Sequence, residues 1–239
     1  MKKIITLSII LLISTSIQAQ FFKEKIVGNG NKIETSRNTS EYDGITVLGS
    51  FDVKLIKGTE GDLKIHIEKN LLPYLITEVK KGKLHIRWQK NINIKTKKGV
   101  LIEVPFQSIE TVAMVGSGDI FSDEKIKEKN FKISLSGSGD IVLTIDSELT
   151  KVSISGSGDI ELNGKSNELK CSVAGSGDFS GKNFKCEKVS ISIAGSGDAS
   201  VFASEDLSAS VAGSGDIEYY GNPKIEAISV SGSGEISMR

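Results

Sequence analysis

Seven carboxylates recur at one position of a repeated tetrapeptide. Asp119, Asp140, Asp159, Asp178, Asp198 and Asp216 each close a Gly-Ser-Gly-Asp, and Glu235 closes a final Gly-Ser-Gly-Glu. Stacked in register, these groups would stand about 4.8 Å apart and repel one another, so something must compensate them. One answer is a ladder of Ca²⁺, which takes carboxylate and carbonyl oxygens. The other is that each Asp accepts hydrogen bonds from backbone N–H groups at its own or the adjacent glycine corner, as Asp does in turns. The calcium-binding repeats of β-roll proteins use a nonapeptide period and a different glycine pattern, which favours the second answer. Catalysis would need something more singular, such as a carboxylate set beside a base or a second carboxylate at a defined separation. Nothing breaks the repeat in that way: Asp123-Glu124, Glu161 and Glu205-Asp206 fall at variable turns and read as solvated charge. No catalytic residue is assigned, and the expectation is a protein that is not an enzyme.

The other reactive side chains are few. His66 and His85 lie on the polar faces of their strands and could be cross-strand neighbours if those strands pair, but two histidines without a third ligand make a poor zinc site. Lys90, Lys95, Lys97 and Lys98 form a basic stretch that reads as a solvated loop, with anionic polysaccharide or lipid headgroups as its alternative contact. Cys171 and Cys186 are the only cysteines, and in an exported chain an even pair makes a candidate disulfide. Against the bridge, Cys171 occupies a core position filled elsewhere by Ile, Val or Ala, whereas Cys186 lies near a variable turn.

The elements that must carry these groups follow from the period. The tetrapeptides begin at Gly116, Gly137, Gly156, Gly175, Gly195, Gly213 and Gly232, at offsets of 21, 19, 19, 20, 18 and 19 residues, the mark of a stacked repeat. Four residues before each glycine stand Val112, Ile133, Val152, Cys171, Ile191, Ala209 and Ile228; two before stand Met114, Leu135, Ile154, Val173, Ile193, Val211 and Val230. Between them stand Ala113 and then six serines, Ser134, Ser153, Ser172, Ser192, Ser210 and Ser229. This strict alternation predicts a strand with one buried face, and the pattern resumes four residues after the glycine, from Ile120 to Ile236. Each repeat thus reads as strand, Gly-Ser-Gly corner, shorter strand and a variable turn such as Asn163-Gly164-Lys165. Both motif glycines are expected to adopt positive φ at the corner. The fold class is all-β: a right-handed parallel β-helix or solenoid of about 19–20 residues per coil. Stacked antiparallel hairpins, one per repeat, are the alternative, which would set like residues about twice as far apart.

Residues 41–108 are β-rich without the motif and read as an N-terminal cap to the repeat solenoid at 109–239, with a polar lead-in at 20–40. Within the cap, Asn70 to Leu75 is expected to start a short helical turn, Pro73 being tolerated at a first helical position. At the other end, the short strand after the last corner could leave an edge free to pair with another molecule, so a homo-oligomer is one expectation. Lys2 and Lys3, an apolar run from Ile4 to Ile17 and Gln18-Ala19-Gln20 have the order of a secretory signal peptide, 1–19. No second apolar run follows, so no transmembrane segment is expected in the mature chain. Lys+Arg and Asp+Glu each total 30, and loss of Lys2 and Lys3 leaves the mature chain slightly acidic, which argues against a nucleic-acid partner.

Gly28-Asn29-Gly30-Asn31, Tyr42-Asp43-Gly44-Ile45-Thr46-Val47 and Gly49-Ser50-Phe51-Asp52-Val53, followed by the Gly-Ser-Gly-Asp repeats, carry a family likeness. Over residues 28–239 the chain resembles the "putative auto-transporter adhesin, head GIN" domain family of exported bacterial proteins, common in Bacteroidetes. The resemblance implies a right-handed β-helix similar in architecture to pectin lyases, no established catalytic residues, and an adhesive role.

Together these readings give an exported β-solenoid of the periplasm or cell surface. Its polar, Ser- and Asp-lined surface would make many weak contacts with an envelope or extracellular ligand, polysaccharide or protein. The alternative is a carbohydrate-active enzyme or polysaccharide-binding module on a pectin-lyase-like scaffold.

Overall fold

The structure, a computed structural model, describes residues 24–239. The expected signal peptide lies outside the described residues. From Gly44 onward the chain winds into a β-solenoid of about 7 turns in which successive coils pair in parallel. Parallel pairing excludes the hairpin alternative, since hairpins would pair antiparallel.

In-register stacking makes the core. Leu84, Ile45, Val112, Ile133, Val152, Cys171, Ile191, Ala209 and Ile228 form one column, each paired to the next. Parallel to it run Ile86, Val47 and Met114 to Val230 before the corner, and Ile102, Val53 and Ile120 to Ile236 after it. From Leu84 to Val211 these residues are buried, and the columns form one continuous hydrophobic core.

The variable turns depart from expectation. The backbone runs as one strand from corner to corner, as in Ile141–Gly156 and Ile160–Gly175. Asn163-Gly164-Lys165 is no turn but an irregularity within a strand, where the register with the next coil shifts between Glu161 and Gly164. Gly164 has φ +106°, and a Cβ there would lie 2.1 Å from the Ile145 carbonyl oxygen. The second corner comes slightly later, where the buried positions change parity: Ile145 and Ser147 face inward, then Thr150 and Val152. Differences in repeat length are absorbed there and at the register shifts.

That corner buries hydroxyls instead of hydrocarbon. Ser147 Oγ lies 2.7 Å from Thr150 Oγ1 and 2.9 Å from Ser166 Oγ, and Ser166 donates to the Glu168 carbonyl at 2.9 Å. The column continues inward-facing with Cys186 and Ala203. Cys171 stacks instead between Val152 and Ile191. The two cysteines therefore line different columns, and both are buried free thiols, not the candidate disulfide. Burial pushes both thiols up, Cys186 to about 12.

The N-terminal end is sealed. Phe51 and Leu71 are fully buried, and Phe51 packs on Trp88 with ring centroids 4.8 Å apart. The expected helical turn is a 3₁₀ turn at Leu72–Tyr74. The lead-in supplies two strands: Glu24–Val27 pairs with Ile92–Lys95, and Lys32–Asn38 pairs antiparallel with Asp62–Glu68. Glu68 ties this end together. Its buried carboxylate accepts from the backbone N–H of Gly30 at 2.5 Å, Lys97 at 2.8 Å and Lys98 at 3.4 Å. Burial pushes this carboxyl up, but the three N–H donors and the nearby Lys97 charge outweigh it and hold the group below its ordinary range. Lys97 and Lys98 of the basic stretch thus act here mainly through their backbone N–H groups.

Candidate functional site: a flat face with charged margins

The corner shows why its four residues are what they are. Gly116, Gly137, Gly156, Gly175, Gly195, Gly213 and Gly232 have φ between +123° and +151°, in the region that favours glycine. The second glycine does not share that conformation and is required for another reason. A Cβ on Gly139 would sit 1.8 Å from the Gly118 carbonyl oxygen, and one on Gly158 would sit 2.1 Å from that of Gly139. In the opening copy, Gly49-Ser50-Phe51-Asp52, no strand among the described residues pairs beneath Gly49, Ser50 or Phe51, and Phe51 takes the second glycine's place.

At the fourth position the backbone hydrogen bonding changes direction. The corner serines donate their N–H to the preceding coil, as Ser138 does to Gly116 O at 2.9 Å, whereas Ile120 donates to the following coil, to Asp140 O at 2.9 Å. The Asp N–H between them meets no carbonyl, and the side chain one coil below satisfies it. Asp140 N–H donates to Asp119 Oδ1 at 3.0 Å, Asp159 to Asp140 at 3.0 Å, Asp178 to Asp159 at 2.8 Å and Asp198 to Asp178 at 2.7 Å. Asp216 donates to Asp198 at 2.8 Å, and Glu235 to Asp216 at 2.7 Å. The series begins at Asp52 Oδ1, which accepts from Asp119 N–H at 3.3 Å. The carboxylates that could have formed a Ca²⁺ ladder are thus in register, and one oxygen of each, from Asp119 to Asp216, is committed to the backbone of the next coil. Among the described residues no donor meets the Glu235 side chain, and there the longer acid stands in.

The outward residues ahead of the corner form a flat face. The serine column, Ser134, Ser153, Ser172, Ser192, Ser210 and Ser229, runs parallel to Ser136, Ser155, Ala174, Ala194, Ala212 and Ser231. Columns are about 6.6 Å apart along the strand and rungs about 4.8 Å apart across it. The corner serines and the aspartates bound the face on one side. On the other side, five residues before each corner glycine, stand Thr111, Lys132, Lys151, Lys170, Ser190, Ser208 and Ala227. Three lysines therefore occupy successive rungs. Lys170 bonds Glu168 at 2.8 Å, whereas among the described residues Lys132 and Lys151 form no ion pair.

The remaining candidates disperse. His66 lies 3.3 Å from Glu103 and 3.7 Å from Glu34, and His85 is not its neighbour, because the strand Asp62–Glu68 and the strand Lys83–Trp88 do not pair. Asp123 bonds Lys54 at 2.7 Å and Asp206 bonds Lys188 at 3.1 Å. The sequence reading missed the lysine column, although aligning the repeats at the fifth residue before the glycine exposes it. Among the described residues no helix is long and apolar enough to cross a membrane.

Comparison with known proteins places this architecture. A family described as "Putative auto-transporter adhesin, head GIN domain" matches residues 41–223. Among solved structures, one titled a putative lipid binding protein from Parabacteroides distasonis is 29% identical, covers 90% of this chain and 100% of its own, and has a TM-score of 0.76. A putative adhesin from Bacteroides fragilis is 24% identical with a TM-score of 0.83, over 90% of this chain and 100% of its own. One from Parabacteroides merdae is 20% identical with a TM-score of 0.72, over 90% of this chain and 99% of its own; these two speak to the fold. No curated protein matches the chain significantly.

Proposed function

We propose, since this chain belongs to the putative auto-transporter adhesin, head GIN domain family, that it is an exported, non-enzymatic adhesion protein. It works by many equivalent weak contacts along a rigid solenoid, in the periplasm or at the cell surface. The observation that carries this reading is the flat face ahead of the corner, where the same outward groups recur rung after rung. Such a surface suits avidity: contacts too weak to hold alone add when the ligand repeats with the protein. The backbone hydrogen bonds that the aspartates accept from each following coil support a corner-fixing role for that column.

The test is retention of beads carrying the protein on bacterial and host surface glycans. Replacing Ser153, Ser172 and Ser192 with Ala, a residue the neighbouring outward column already carries, should reduce retention while leaving the melting temperature nearly unchanged. Retention unaffected by those replacements would move the adhesive surface elsewhere. Cleavage of a polysaccharide that disappears with a single Asp or Glu substitution would replace adhesion with catalysis. The Parabacteroides distasonis neighbour, a putative lipid binding protein, makes lipid the competing ligand, and anionic vesicles belong in the same assay.

A further inference from the structure

We propose that Lys132, Lys151 and Lys170 form the contact line for a linear polyuronate, a polysaccharide with one carboxylate on each sugar, laid parallel to the solenoid axis. The proposal deepens the adhesive reading and rests on it.

Three observations carry it. First, the lysines are consecutive members of one paired column, so their ammonium groups rise from backbone positions about 4.8 Å apart. Like charges at that spacing repel by about 1 kcal/mol per neighbouring pair even at the dielectric of water. Nothing in the packing demands them, because Ser190 and Ser208 fill the same column one and two rungs beyond Lys170. Second, their compensation is incomplete: Glu168 holds Lys170, and among the described residues no carboxylate pairs with Lys132 or Lys151. Third, the chemistry across the face is graded, from lysines through serine hydroxyls to aspartates at the corner.

That gradient selects both the ligand and its direction. A pyranose unit advances a glycan by a distance close to one rung, so a polyuronate along the axis, whose successive units turn about the chain, keeps carboxylates within reach of the row of flexible lysines. Its ring hydroxyls then face Ser134, Ser153 and Ser172, which donate and accept equally well. A polyanion lying across the face would drive its charges onto the aspartate margin. Carboxylates on sugars suit a spaced row of ammonium groups, which act as separate point charges and not as planar forks.

Binding of the protein to immobilised polygalacturonate and alginate, measured at low and physiological salt, tests this. Full methyl esterification of the polygalacturonate and vesicles rich in phosphatidylglycerol serve as comparisons. The variant Lys132→Ser, Lys151→Ser, Lys170→Ser copies the column's own later residues and is expected to fold. A control with the same charge change, Lys127→Ser, Lys165→Ser, Lys185→Ser, removes lysines from a column on another wall. The expected result is salt-sensitive polyuronate binding, lost on esterification, weakened roughly tenfold in the first variant and less than about twofold in the control. Equal weakening in both variants would reduce the effect to net charge and overturn the proposal. So would absent polyuronate binding, or ladder-dependent binding that prefers the vesicles. Retention on surface glycans that survives in the first variant would sink this proposal and leave the adhesive reading standing; absence of all retention in the unaltered protein would sink both.

Discussion

Removing the acceptor from the corner aspartates, and separately removing only their charge, isolates what they do. In the variant Asp140→Ala, Asp159→Ala, Asp178→Ala, the N–H groups of Asp159, Asp178 and Asp198 lose acceptors now at 3.0, 2.8 and 2.7 Å. These corners are exposed, so water replaces part of each bond, and a loss of about 1 kcal/mol per site is expected. Three sites give about 3 kcal/mol, or roughly 6–12 °C in melting temperature for a domain of this size. The matching Asn variant keeps an oxygen at each position and discards the charge, so its melting temperature should stay within about 3 °C of the parent. Thermal and urea unfolding followed by circular dichroism measures both, and urea tests whether the coils still unfold together. The reasoning fails if the Asn variant falls as far as the Ala variant, because charge and not hydrogen bonding would then hold the corner. It fails also if calcium raises the melting temperature of the parent and a chelator reproduces the Ala variant.

Other expectations follow from the same geometry. Gly158→Ala places a Cβ 2.1 Å from the Gly139 carbonyl oxygen and should cost more than about 3 kcal/mol, whereas Gly30→Ala, with nothing within 4 Å but φ at +80°, should cost about 1 kcal/mol; urea unfolding separates them. Phe51→Ala should empty the sealed end and cost about 3–5 kcal/mol, seen as early loss of Trp88 fluorescence on denaturation. Because the folded pKa of Glu68 is lowered, its contribution is complete above the ordinary carboxyl value of 4.5 and is lost as pH falls through the folded value. Glu68→Gln should therefore flatten the acid limb of the stability profile. Cys171 and Cys186 should resist a thiol reagent in the native protein, and both should react in denaturant without reductant.

Much of the architecture was legible because stacking forces equivalent residues to repeat. Once the glycines were aligned, the columns through Ile133 and Leu135 could be read directly, and so could the outward serines. The second corner was not legible, because its cue is a change of parity between Ser147 and Thr150 and not a turn residue. Gly164 misled for the same reason: glycine marks close backbone approach as readily as it marks a turn. Reading positive φ into both corner glycines missed that Gly118 and its equivalents are small because a carbonyl from the coil below already occupies the space. The aspartates' partner was legible as a class, a backbone N–H, but only the coil-to-coil register reveals that the bond crosses to the next repeat. The lysine column stayed hidden because a lysine taken singly reads as solvated charge.

The aspartate bonds all point one way along the chain, from each carboxylate to the amide of the coil that comes after it. The corner column is therefore a template with polarity. A finished coil presents an acceptor already fixed in place, and the next coil docks by donating to it. A chain emerging amino end first meets these templates in the order in which it can use them, starting from the surface that Phe51 and Trp88 close. Growth toward the carboxyl end adds one rung to a prepared surface, whereas growth in the reverse direction would have to install each acceptor beneath a coil that already needs it.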